Sequence, residues 1–143
     1  MISFDTNIAV HAANEKSENR DAARAFLSEL GGRRDVVVCE YLLVELYLKL
    51  RKAKVFATPL SAQDAAARCQ NLRRNPKWRL VESAPVMNEV WKLAGTQFFA
   101  IRRIVDVRFA LTLRHFGVTE FATTNVKDFE GLGFDRVWNP LLA

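Results

Sequence analysis

Four acidic side chains stand against or inside strongly apolar runs. They are Asp5 in Met1-Ile2-Ser3-Phe4-Asp5-Thr6-Asn7, Glu45 in Tyr41-Leu42-Leu43-Val44-Glu45-Leu46, Asp106 in Ile104-Val105-Asp106-Val107-Arg108-Phe109, and Asp128 in Thr123-Thr124-Asn125-Val126-Lys127-Asp128-Phe129. A carboxylate beside a core is costly unless something positive meets it. Gathered at one point, such groups make an all-oxygen site, which selects hard octahedral cations such as Mg2+ or Mn2+.

Each acid also has a purely structural explanation. Asp5-Thr6-Asn7 suits the cap of a strand-to-helix turn. Glu45 precedes Lys49 by four residues, the favourable order on a helix, worth roughly 0.2–0.5 kcal/mol. Asp106 has Arg102, Arg103 and Arg108 as local partners and suits the positive end of a helix dipole. Asp128 fits the turn before Phe129. For Glu45 the surrounding Leu42, Leu43, Val44, Leu46, Leu48 and Leu50 leave little room for a wet face, so its carboxylate is expected in a polar cleft between core elements.

The elements that must position these groups alternate along the chain. Ile2 to Phe4 is strand-like and Thr6 to Ala13 a short helix. Glu18 to Leu30 carries a helical apolar stripe stopped by Gly31-Gly32. Asp35 to Cys39 is a β-branched strand, and Glu40 to Ala53, apolar on nearly all sides, predicts a deeply packed helix. Ser61-Ala62-Gln63-Asp64 is a capping-box variant opening a helix to about Arg74. Trp78 to Glu82 predicts a strand, and Pro85 the first turn of a helix to about Gly95. Asp106 to Phe116 predicts a helix closed by Gly117, followed by strands at Glu120 to Thr124 and Phe134 to Trp138. This order favours an α/β fold, a three-layer α/β/α sandwich with a mainly parallel central sheet. Ligands of such sheets gather at the carboxyl ends of the strands, where Asp5, Asn125 and Asp128 fall.

Composition narrows the field. At 143 residues, with 50% hydrophobic and 26% charged side chains, the chain is expected to be one domain, 1–143, with a normal core. No apolar run reaches the ~20 residues of a membrane helix, and no basic stretch with an apolar region behind it opens the chain. Cys39 and Cys69 form neither a disulfide framework nor a zinc pattern, so reduced thiols and a cytoplasmic location are expected. His11 and His115, the two histidines, lie far apart, which leaves a histidine metal site or a Ser-His-Asp triad short of parts. The net charge of +5 is concentrated at Arg33-Arg34, at Lys49, Arg51, Lys52 and Lys54, at Arg73-Arg74 with Lys77 and Arg79, and at Arg102-Arg103. Such clusters meet phosphates, or are simply solvated helix ends.

Taken together the acids are more specific than any one of them. With Asp5-Thr6-Asn7 after the opening strand, Val44-Glu45-Leu46-Tyr47-Leu48-Lys49-Leu50-Arg51, Val105-Asp106-Val107-Arg108-Phe109-Ala110-Leu111 and the tail Ala122 to Gly133, the whole chain resembles the PIN-domain ribonucleases, and within them the VapC-type toxins of toxin–antitoxin pairs. That resemblance implies a Mg2+- or Mn2+-dependent endoribonuclease in which Asp5, Glu45 and Asp106 match the central acids and bind metal. Thr6 supports Asp5. The family's fourth acid falls at Asn125, which brings no charge, and Asp128 three residues on either supplies it or is structural. Two ions about 3.5–4 Å apart would activate a water and stabilise the leaving oxygen of an RNA phosphodiester. Arg102, Arg103 and Arg108 are the candidate RNA-phosphate contacts. The resemblance also implies an antitoxin protein and a homodimer. The apolar contacts for them are expected from a helical region Val55 to Ala67 and from Trp91, Phe98 and Phe99, residues that core packing explains equally. A catalytically weak module of the same fold, binding RNA or a protein without cutting, is the alternative. A receiver-like or phosphatase-like domain would want a second acid beside Asp5, and Ser3-Phe4-Asp5-Thr6 has none.

Overall fold

The computed structural model describes residues 1–142; Ala143, the last residue of the expected domain, lies outside the described residues. Its strands are short and parallel: β1 (Ile2–Phe4), β2 (Val37–Cys39), β3 (Arg79–Val81), β4 (Glu120–Ala122) and β5 (Arg136–Trp138). β1, β4 and β5 pair in that order, and β2 pairs with β3. A parallel bridge between Ile2 and Val36, with the Ile2 N–H donating to Asp35 O at 2.9 Å, joins the two sets. The spatial order is therefore β3-β2-β1-β4-β5.

Between strands run α1 (Thr6–Ala13), α2 (Arg20–Gly31), α3 (Glu40–Leu50), α4 (Ala62–Arg73), α5 (Met87–Ala94), α6 (Arg103–His115) and α7 (Val126–Phe129), with a 3-10 turn at Ala84–Val86. The crossovers β1 to β2 and β2 to β3 step one way along the sheet, whereas β3 to β4 and β4 to β5 step the other way. Right-handed connections then put α1 to α4 on one face and α5 to α7 on the other. The packing agrees: α1 touches both α2 and α3, α3 touches α4, and α6 touches α5, α7 and β2. This is the expected three-layer sandwich with a parallel sheet. β1 is its central strand, with Ile2, Ser3 and Phe4 all buried.

Four expectations shift. α3 ends at Leu50 rather than Ala53, because the chain returns and the Leu60 N–H donates to Leu50 O at 3.0 Å. Nor is α3 buried all round: Leu42, Leu43, Leu46 and Leu50 pack inward while Val44 and Leu48 are half exposed. The stretch before α4 is also not helical from Val55, since α4 starts at Ala62, where Ser61 Oγ accepts the Asp64 N–H at 3.1 Å as the capping pattern predicts. α6 starts three residues ahead of Asp106, at Arg103, and ends at His115, one residue short of Phe116; Gly117 closes it as expected, its φ of +90° taking the left-handed conformation that ends a helix.

Candidate active site

β1 and β4 are neighbours whose crossovers leave in opposite directions, so a crevice opens at their carboxyl ends. Phe4 pairs with Ala122, and the next residues out, Asp5 and Thr123, leave the sheet side by side. The Asp5 N–H continues the ladder to Ala122 O at 2.8 Å. Asp5 is the N-cap residue of α1, yet its side chain makes no capping bond. Its Oδ2 instead accepts the hydroxyl of Thr123 at 2.8 Å, and that hydroxyl accepts the Asn125 N–H at 3.0 Å. The capping explanation of Asp5 thus does not describe its side chain, which is only 7% exposed and turned along the crevice.

Glu45 enters from the second turn of α3. Its Oε1 pairs with Lys49 Nζ at 3.0 Å, as the four-residue spacing predicts, and the same ammonium donates to Asn7 Oδ1 at 2.8 Å. Its Oε2 is buried with no hydrogen-bond partner among the described residues. Glu45 therefore satisfies both readings, one oxygen paired and the other waiting.

Asp106 projects from the first turn of α6, half buried, with no ion pair among the described residues. Its carboxyl is pushed up to about 6, first by burial and then by the charges of Asp128, Asp5 and Glu45, with Arg103 opposing. Asp5 is raised as well, chiefly by burial, with Thr123 and Lys49 opposing and Glu45 adding to the rise. Asp128 sits on α7, which is pinned by Phe129: that ring is buried and lies 4.6 Å from Phe121 of β4. Burying such a ring contributes about 1.5–3 kcal/mol, enough to hold a four-residue helix in place. Asn125 is the N-cap residue of α7 and presents its backbone, not a charge, to Thr123.

The charges of Asp128, Asp5 and Glu45 thus all reach Asp106, and that of Glu45 reaches Asp5. Among the described residues no three of them approach closely enough to chelate a single ion directly. The donor set nevertheless fits a hard cation: every candidate ligand is an oxygen, Glu45 Oε2 and the fully buried Thr6 Oγ1 are unpartnered, and burial, with repulsion from neighbouring acids added to it, raises two carboxyls. A divalent charge relieves that repulsion.

The arginines divide. Arg102 is exposed at the start of α6, and Arg103 lies beside Asp106 with Nη1 donating to Asp128 O at 3.4 Å. Arg108 is engaged inside the protein: its guanidinium lies 3.9 Å from the centre of the Tyr41 ring and Nε donates to Ser83 Oγ at 2.9 Å. Of the other basic clusters, Arg33 is paired with Asp35 and Arg73 with Glu40. Both cysteines are free thiols, and burial pushes Cys39 up to about 11.

Thr123, Asn7 and Tyr41 were not among the candidates. Thr123 lies 118 residues from the carboxylate it orients, so no local spacing betrays it. The only signal is its place just past β4, one step beyond the residue paired with Phe4.

Comparison with known proteins gives three findings. The PIN domain family matches residues 2–132. Ribonuclease VapC24 of Mycobacterium tuberculosis, in strains CDC 1551 / Oshkosh and ATCC 25618 / H37Rv alike, is 55% identical over 143 residues, covering 100% of this chain and 99% of the relative. Among solved structures, FitAcB from Neisseria gonorrhoeae superposes with a TM-score of 0.67 at 20% identity, covering 100% of both chains. Mycobacterium tuberculosis VapC20, described as a sarcin-ricin loop cleaving toxin, superposes with a TM-score of 0.65 at 16% identity, covering 85% of this chain and 87% of that one. At those identities the two structures speak for the fold.

Proposed function

The chain belongs to the PIN-domain family, among the VapC ribonucleases, and on that premise we propose that it is a metal-dependent endoribonuclease, the toxin of a type II toxin–antitoxin pair. One observation carries the reading to this chain's own residues. Asp5 gives up the capping role open to it and is fixed by Thr123 at the sheet's switch point, where burial and then the charges of Asp128, Asp5 and Glu45 raise Asp106.

Asp5, Glu45 and Asp106 are the residues that hold Mg2+ or Mn2+, with Thr6, Asn125 and Asp128 completing or orienting their shell. When bound, such an ion supplies positive charge to a phosphodiester oxygen and acidifies a water. The protein's own part is placement. Thr123 sets the carboxylate plane of Asp5, and Lys49 holds one oxygen of Glu45 while leaving the other free. Arg103, and the exposed Arg102 beside it, meet the RNA phosphate next to the acids. Residues 1–143 act as one domain in the cytoplasm. No helix among the described residues is long and apolar enough to cross a membrane. An antitoxin protein and a second copy of the chain are the partners, with the exposed Val44, Leu48, Trp91, Phe98 and Ile101 available to them.

The test is cleavage of a total RNA pool by purified, antitoxin-free protein with Mn2+ or Mg2+, beside Asp5→Asn and a chelator. Cutting by the native protein alone, and only with metal, is the expected result. No cutting by folded protein would overturn it in favour of a module that binds without cleaving.

A further inference from the structure

Three acids of the site come from elements with independent courses: Asp5 from the sheet, Glu45 from α3 and Asp106 from α6. The sheet register fixes the first, but nothing in the ladder sets the distance from α3 to α6. The contact between those helices lies one turn from each acid. Tyr41 precedes Glu45 by four residues on α3, and Phe109 follows Asp106 by three on α6, so each pair shares a helix face. The Tyr41 ring lies 5.5 Å from Phe109, tilted by 48°. The guanidinium of Arg108 lies 3.9 Å from the centre of the same ring. Arg108 Nε is then tied by a 2.9 Å hydrogen bond to Ser83, a buried residue just past β3.

We propose that Tyr41, Arg108 and Ser83 form a clamp that sets the gap between Glu45 and Asp106, so that Arg108 is a positioning residue and not an RNA-phosphate contact. The inference rests on the acidic crevice being the metal site. A planar guanidinium suits this job better than an ammonium, because it stacks on the ring with its face while its edge donates to the serine. A side chain pinned at its face and at Nε also has little freedom to follow a moving RNA strand. One helical turn is about 5.4 Å, so a small tilt at the clamp moves both acids by a large part of a ligand distance.

The experiment measures Mn2+ binding by RNA-free protein, from the rise in melting temperature across a Mn2+ titration, in the native chain and in Tyr41→Leu, Tyr41→Phe, Arg108→Lys and Arg108→Gln. Tyr41→Leu and Arg108→Gln are each expected to weaken Mn2+ binding about 10–100-fold, the loss typical when a group that orients ligands is removed. Tyr41→Phe, which keeps the ring, restores the native affinity, and Arg108→Lys, which keeps only the charge, falls between. The double variant Tyr41→Leu with Arg108→Gln loses no more than the worse single one, because both remove the same contact. The salt dependence of RNA binding stays native in Arg108→Gln. A salt slope lowered by about 1 with Mn2+ binding intact would make Arg108 a phosphate contact and overturn the clamp. Native Mn2+ binding in Tyr41→Leu would overturn the clamp alone, whereas no Mn2+ response in the native protein would overturn the metal site with it.

Discussion

Asp5 and Asp106 serve one crevice from opposite kinds of support. Asp5 leaves the end of a central strand, is 7% exposed, and has its carboxylate set by Thr123 from the neighbouring strand. Asp106 stands half buried in the first turn of a helix, with Arg103 near it and no ion pair among the described residues. The sheet side is built before any ligand arrives, since its geometry is the geometry of β1 and β4. The helix side depends on how α6 packs, and its acid carries repulsion that only a cation or a proton removes. One wall supplies precision, and the other carries like charge that the proposed metal would relieve.

The largest effect should follow from breaking the rigid wall. Asp5→Asn keeps the shape and a hydrogen-bond acceptor but removes the charge, and cleavage should fall by more than the roughly 10–100-fold that loss of an orienting partner costs. The same variant should melt higher than the native metal-free protein at neutral pH, because a buried carboxyl whose charged form is disfavoured has gone. Activity and melting curves on the same preparations check both halves. Thr123→Val, isosteric but without the hydroxyl, should lose about 10–100-fold in cleavage while Thr123→Ser keeps most of it. If Thr123→Val cuts as well as native protein, the sheet wall is not what orients Asp5.

The contrast between the walls also marks how far the sequence could be read. α1 runs from Thr6 to Ala13 as expected, and the parallel α/β sandwich follows from alternation of elements, because both depend on local patterns. The acids of the crevice stand out for the same reason, as charges inside apolar runs. Thr123 does not, since its partner is brought beside it only by strand pairing. The start of α6 was misplaced by three residues because Ile104 and Val105 are β-branched and no Ser, Thr, Asn or Asp caps the helix; Arg102 takes that position without a side-chain bond. The exposed Val44 and Leu48 of α3 escaped too, as hydrophobicity alone does not say which face of an apolar helix is covered.

A second, intermediate effect should distinguish the walls by pH. Asp106 is raised from 3.8 to about 6 in the folded protein, so between those values the native state holds a proton that the unfolded chain has released. Stability from this group is present below its unfolded value and is lost as pH rises through about 6. Asp5, also raised, acts in the same sense. These two groups should therefore lower the melting temperature of metal-free protein from near pH 5 to near pH 7.5, by thermal scans in chelator. His11, lowered by burial, acts in the opposite sense and is common to native protein and Asp106→Asn. Mn2+ should reverse the order, because it binds the ionised acids and competes with protons. Asp106→Asn should flatten the chelator profile; an unchanged profile would move the titration to another group.

The smallest effect should come from Asp128, the acid carried neither by a sheet strand's end nor by α6 but by the short α7. Its helix is held down by Phe129 on Phe121, so Asp128→Asn should fold and melt close to the native protein. Its charge is the second cause of the raised Asp106 carboxyl, after burial, so the variant should move the Asp106 midpoint below about 6 in a carboxyl NMR titration of metal-free protein. Cleavage should fall only a few-fold if Asp128 shapes the field around the site, on the scale of one exposed charge at short range. A loss as deep as that of Asp5→Asn would mean that Asp128 supplies the carboxylate that Asn125 lacks. α7 would then belong with the sheet wall rather than with the helix side, because it follows β4 directly and the Asn125 N–H is bonded to Thr123.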